Sequence, residues 1–185
     1  MRMMHHVFRP FRRFLRDDSA SVTVEAVMVL PLLIWGYFGM FILFEGYRAL
    51  STNIRVSYTI SDLLSREVNA VNADYIDGLN AIQEVMTQSA QRTVLRVSVV
   101  SYDEDADDHA LEWSYSTPGQ EPIEAADIDT AIIPYLPPMP HGGQLVVVET
   151  WMAFEPFMNI SLDSFYFESL VTTRPRFAGQ LIWES

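Results

Sequence analysis

The chain contains no cysteine and no lysine. Without cysteine no disulfide can form, even in an oxidising compartment, so the fold must be held by its core or by partner subunits. Without lysine every fixed side-chain cation is an arginine. Arg2, Arg9, Arg12, Arg13 and Arg16 crowd the first sixteen residues, and acidic residues dominate the rest of the chain, for a formal net charge of −12. An acidic body repels phosphate, which excludes nucleic acid as its partner. Catalytic signatures are missing as well: there is no GxSxG elbow, no HExxH pair and no phosphate-cradling glycine loop, so the sequence reads as that of a non-enzyme with no cofactor and no metal. The histidines do not change this. His5 and His6 are adjacent polar residues without further ligands, and His109 and His141 lack the partners a catalyst needs.

Charge is also absent from Ala26 to Phe44. Those residues make roughly 28 Å of helix, enough to cross a bilayer. The run is longer than the h-region of an ordinary secretory signal, and FEGYRALSTN after it offers no clean small-x-small cleavage site. An uncleaved anchor is the stronger simple reading. The arginines before the run set the N-terminus in the cytoplasm by the positive-inside rule and lean on anionic lipid, so the remainder is translocated. One carboxylate, Glu25, stands at the threshold of the run. A charge there is costly, and a plain anchor has no use for it, which makes it a functional candidate.

Beyond Phe44, Tyr47, Leu50, Ile54, Tyr58, Ser61, Leu64 and Val68 recur at spacings of three and four. This predicts one helix from about Ser21 to about Val68, apolar all round in its first half and amphipathic in its second. Pro31 lies in the first half, where packed neighbours tolerate the lost donor. Gly36 and Gly39 do not form GxxxG. A second helix is predicted from Ala73 to Ala90, capped by Asn72, with Tyr75, Leu79, Ile82 and Met86 as its core stripe. Four strands come after it: Val94–Tyr102, Leu111–Ser116, Leu145–Phe154 and Phe165–Thr173. Pro134, Pro137, Pro138 and Pro140 make IPYLPPMPHGG a loop. The predicted class is α+β, with a small, mostly antiparallel sheet packed on the amphipathic helix.

Asp103, Glu104, Asp105, Asp107 and Asp108 resemble the start of an EF-hand loop. However, Asp108 replaces the turn glycine and Ser114 the bidentate glutamate, so a solvated hairpin turn is the better reading. His141-Gly142-Gly143 reads as turn chemistry. The aromatics Trp113, Trp151, Phe154, Phe157, Phe165, Tyr166 and Phe167 read as core or subunit-interface material, with a ligand-binding box as the lesser alternative.

The junction DDSASVTVE remains. A basic leader, a small residue, four residues and a glutamate, then an apolar span, resembles the processing site of type IV prepilins and pseudopilins. The run TVEAVMVLP, with Pro31 six residues after Glu25, resembles the TadE-like branch of the Tad (Flp) pilus system. So does a late strand ending near Thr173-Arg174-Pro175-Arg176. The likeness is strong over residues 12–45 and diffuse afterwards. It implies cleavage by a membrane-embedded prepilin peptidase between Ala20 and Ser21, making Glu25 the fifth mature residue. Ala20 stands where most prepilins carry glycine, and Ser21 where the first mature residue is usually apolar.

The resemblance implies a pilin-like organisation: leader 1–20, transmembrane helix 21–44, helical stalk and second helix 45–92, and a β-rich periplasmic domain 93–185. It also implies a minor pseudopilin in Tad pilus biogenesis, supporting fibre assembly and adhesion, with assembly roles for Glu25 and Pro31. Its partners would be the peptidase, other pilins, the inner-membrane assembly platform and lipid. The location would be the inner membrane with a single pass, or the pilus itself. Two alternatives stand beside it: a membrane-anchored periplasmic binding module that is never polymerised, and a type II secretion pseudopilin. The first leaves Glu25 unexplained. The second fits less well with a proline this early.

Overall fold

The computed structural model describes residues 18–89, 93–156 and 164–184, with side chains from Val22 onward. The arginine-rich head with His5 and His6, and also Phe157, lie outside these residues. The chain forms two compact units, residues 1–45 and 46–185. Helix α1 (Asp18–Arg66) contributes to both, and its bounds agree with the predicted ones to within three residues.

In the first unit most of the described part of α1 is uncovered, Ile42 being a buried exception. Every residue from Val22 to Tyr37 is exposed, among them Met28, Leu32 and Trp35, each at 70% or more. A soluble monomer rarely leaves so much apolar surface uncovered. The helix continues through Pro31 and is long and apolar enough to cross a membrane by length and composition.

The second unit is an α+β domain. Its sheet has the order β2-β1-β3-β4, with all pairs antiparallel. The strands are β1 (Thr93–Asp103), β2 (Asp108–Ser116), β3 (Gln144–Phe154) and β4 (Phe165–Thr173). All four lie within a few residues of their predicted spans. β1 and β2 form the hairpin that closes on the acidic turn. β1 and β3 are central and buried on both faces, which is why they read as nearly continuous apolar runs. On one face Leu95, Val97, Val99, Val146 and Val148 pack with Val56, Ile60 and Leu64 of α1 and with Ile76 and Leu79 of α2 (Ala73–Thr87). On the other face Val100 and Val147 meet Ile123, Ile128 and Ile132. Those last residues come from the segment between β2 and β3, which contains a short helix α3 (Ile128–Ala131) and a 3₁₀ turn (Ile133–Tyr135). The rest of the proline-rich stretch is loop, in line with its composition.

Both helical stripes are only partly as predicted. On α1, Ser61 and Leu64 are buried as expected, but Tyr47 and Tyr58 are 71% and 61% exposed, and Ile54 and Val68 are exposed too. The buried side carries Val56, Ile60 and Leu64 flanked by Asn53, Ser57, Ser61 and Ser65, all at most 3% exposed. Small polar side chains fill this side because the helix lies close to the sheet. The Ser57 hydroxyl is 2.6 Å from Thr150 Oγ1 and also donates to the Asn53 carbonyl, and Asn53 Nδ2 donates to the Phe167 carbonyl. Paired this way, the hydroxyls cost little to bury. On α2 the buried residues are Ile76, Leu79 and Gln83, while Ile82 and Met86 are exposed. The cap is as predicted: Asn72 Oδ1 accepts from the Tyr75 amide at 3.0 Å.

A C-terminal strap completes the helix-facing side. Val71 and Trp183 form an isolated parallel bridge, with the Val71 amide donating to Ile182 O and the Glu184 amide to Val71 O, both at 2.8 Å. Trp113 Nε1 donates to Leu181 O, and Trp183 packs on Trp113 and Tyr115 at 5.0 and 5.2 Å between ring centroids.

Candidate functional site

The four residues singled out at the junction lie on one helix. α1 includes Ala20 and Ser21, so the bond between them is in helical backbone. A peptidase acting here must therefore unwind the helix locally. Glu25 lies one turn beyond Ser21, at the i, i+4 spacing that puts two residues on one side of a helix. Its side chain is exposed. Pro31 sits six residues further on, within the uncovered apolar stretch.

Two features that invited chemistry resolve into turns. The acidic run closes the β1–β2 hairpin: Asp107 takes a φ of 50°, its carboxylate accepts from Tyr102 Oη at 2.8 Å, and Asp103 accepts from the Asp105 amide. The Asp107 carboxylate beside it raises the Tyr102 pKa. Asp103, Asp105 and His141 bring ligand atoms within 4.8 Å of one another, all exposed. His141 Nδ1 already accepts the Glu104 amide at 3.1 Å, so the imidazole pins one loop against another. Ser114, the residue at the twelfth loop position, is in β2 and hydrogen-bonds Ser98 instead. Gly142 has a φ of 66° and donates to Tyr102 O. Turn chemistry thus accounts for the histidine-glycine-glycine run. His109 stacks against Tyr102 at 4.8 Å.

One constellation went unpredicted. Arg96 of β1 and Glu149 of β3 are directly opposite in register and form a bidentate pair, with both N···O distances 2.7 Å. The glutamate is 3% exposed. The guanidinium also donates to Glu121 O and lies over the Trp151 ring at 5.0 Å. The one available sign was a lone arginine and a lone glutamate, each inside an apolar strand.

No family model, curated protein or solved structure matches the chain.

Proposed function

We propose that the chain is a TadE-like minor pseudopilin that is processed between Ala20 and Ser21 and supports assembly of a Tad pilus. The observation that carries the reading is the coincidence of Glu25 with the start of an apolar helix exposed at every residue from Val22 to Tyr37. Such a surface needs lipid at one stage and neighbouring helices at another. After cleavage Ser21 would carry an α-ammonium. Buried among packed helices, that charge is tolerable only with a partner. Glu25 of a neighbouring subunit supplies one and thereby fixes the axial stagger between subunits. In the second unit, Tyr47, Ile54 and Tyr58 are exposed on one side of the helix and offer a neighbour a surface of their own. In this reading the N-terminus is cytoplasmic, the domain from residue 46 onward is periplasmic, and the membrane crossed is the inner membrane.

N-terminal sequencing of the protein from membranes of peptidase-positive cells tests the processing step. Mature chains beginning at Ser21 support it, and an intact Met1 overturns it. Glu25→Ala tests assembly: the variant should insert normally and abolish piliation, whereas normal pili would remove Glu25 from the mechanism.

A further inference from the structure

The sheet face opposite the helices carries a groove of about 470 Å³ near one end of the central strands. Its floor is Trp151, paired in register with Val94 on one side and Glu168 on the other. Tyr166, 63% exposed, stands two residues from Glu168 on the edge strand. The opposite rim is Pro118-Gly119-Gln120. That rim is held firmly. The Thr117 amide donates to Leu95 O, and Thr117 Oγ1 accepts the Leu95 amide, each at 2.9 Å. Gly119 presses so closely on β1 that a Cβ would lie 2.6 Å from Val94 Cγ2, and its φ is +128°.

We propose that this groove binds a basic side chain, arginine or lysine, presented by a peptide segment of a partner protein. Charge complementarity carries the assignment. Among the described residues that line the groove, the charged one is a carboxylate, Glu168. The neighbouring cation, Arg96, is already committed to Glu149 through two 2.7 Å bonds and caps Trp151. It therefore neither neutralises Glu168 nor repels a second cation strongly. A phenol ring beside a carboxylate recognises a guanidinium or ammonium: the exposed Tyr166 ring attracts it through its quadrupole and Glu168 pairs with it. Trp151, 8% exposed and already covered by Arg96, is the apolar floor along which the stem of the incoming side chain lies. The chain has no lysine, and carboxylates greatly outnumber arginines after Phe44, so an acidic body steers basic partners toward the groove. The proposal is independent of whether the chain is polymerised.

The test uses the full chain in detergent micelles, labelled with 5-fluorotryptophan. Resonances of Trp35, Trp113, Trp151 and Trp183 are assigned by single Trp→Phe variants. The probe is the capped tripeptide Ala-Arg-Ala, with Ala-norleucine-Ala as the neutral control. Titration should move the Trp151 resonance with the arginine peptide and not with the control. Glu168→Gln should weaken binding roughly three- to tenfold and Tyr166→Ala at least as much, with Trp113 and Trp183 unmoved as evidence that the fold is intact. Asp105→Asn, a charge change far along the sheet, should leave affinity unchanged. Three results would overturn the proposal: no movement of Trp151, equal response to the norleucine peptide, or equal weakening by Asp105→Asn and Glu168→Gln.

Discussion

Removing the Glu149 carboxylate should be among the most damaging single changes in the domain. In Glu149→Ala the Arg96 guanidinium keeps its bond to Glu121 O and its place over Trp151 but loses both charge-assisted bonds in a setting where its own side chain is only 15% exposed. Breaking a buried pair from one side costs roughly 3–5 kcal/mol, because the remaining charge is left uncompensated. For a unit the size of residues 46–185 this corresponds to a fall in Tm of about 10–15 °C. The double variant Arg96→Met, Glu149→Leu removes both charges and keeps most of the volume, and buried pairs replaced in this way are often neutral or better. It should therefore recover most of the loss. Urea unfolding of the full chain in micelles, followed by tryptophan emission, compares the wild type, the single variant and the double variant. If Glu149→Ala costs less than about 1 kcal/mol, or if the double variant is no better than the single, then the pair is not the buried, mutually dependent device described above.

Other outcomes are equally specific. Gly119→Ala should cost roughly 1–3 kcal/mol, from the unfavourable positive φ and from the push against Val94, seen as a lower urea midpoint. Leu181→Ala, which empties a site 3% exposed beneath the strap, should cost roughly 2–5 kcal/mol and expose Trp183, red-shifting the emission. Ser61→Leu should destabilise by roughly 1–3 kcal/mol even though it makes the helix more apolar, because that side has no room. Finally, amide bonds from Asn69 and Val68 lower the Glu67 pKa below its ordinary 4.5. The stability this contributes is present above about 4.5 and is lost as pH falls through the lowered value. The protection of the Val68 and Asn69 amides, measured relative to their intrinsic exchange rates at each pH, should fall there, and Glu67→Gln should abolish that pH dependence.

The strands were legible because each is a run of β-branched and aromatic residues bounded by turns, and Phe165–Thr173 was located to the residue. The Asn72 cap was legible because its chemistry is local. The buried sides of the helices were legible only in part: Ser61, Leu64 and Leu79 lie inward as predicted, whereas Tyr47, Ile54, Tyr58, Val68, Ile82 and Met86 are exposed. Hydropathy assigns Tyr47, Ile54 and Tyr58 inward and Ser57 and Ser65 outward, whereas a helix lying against Thr150 and the Phe167 carbonyl needs small residues that can hydrogen-bond there. That preference appears only once the sheet is in place. α3 was missed because four residues show no period. At the junction, the helix was expected from Ser21 onward, with Glu25 and Pro31 on it and Ala20 in the leader before it; the helix includes Ala20 as well. Arg96 and Glu149 are 53 residues apart in sequence, and the register that joins them is invisible in one dimension.

The serine side of α1 has a consequence for the order in which the domain forms. Hydrophobic collapse acts on Val97, Val99, Val146 and Val148 before it acts on hydroxyls, and hydroxyls gain only when their partners are already fixed in place. The β1–β2 hairpin closes over a short turn and β3 and β4 follow one another closely in the chain, while the β1–β3 pairing unites the two antiparallel pairs across a longer stretch of chain. Ser57 can find Thr150, and Asn53 the Phe167 carbonyl, only after β3 and β4 are aligned. Docking along Asn53, Ser57, Ser61 and Ser65 is thus a late event. Substitutions there should speed unfolding while leaving the folding rate nearly unchanged, with φ-values near zero, in contrast to those in the β1–β3 pair.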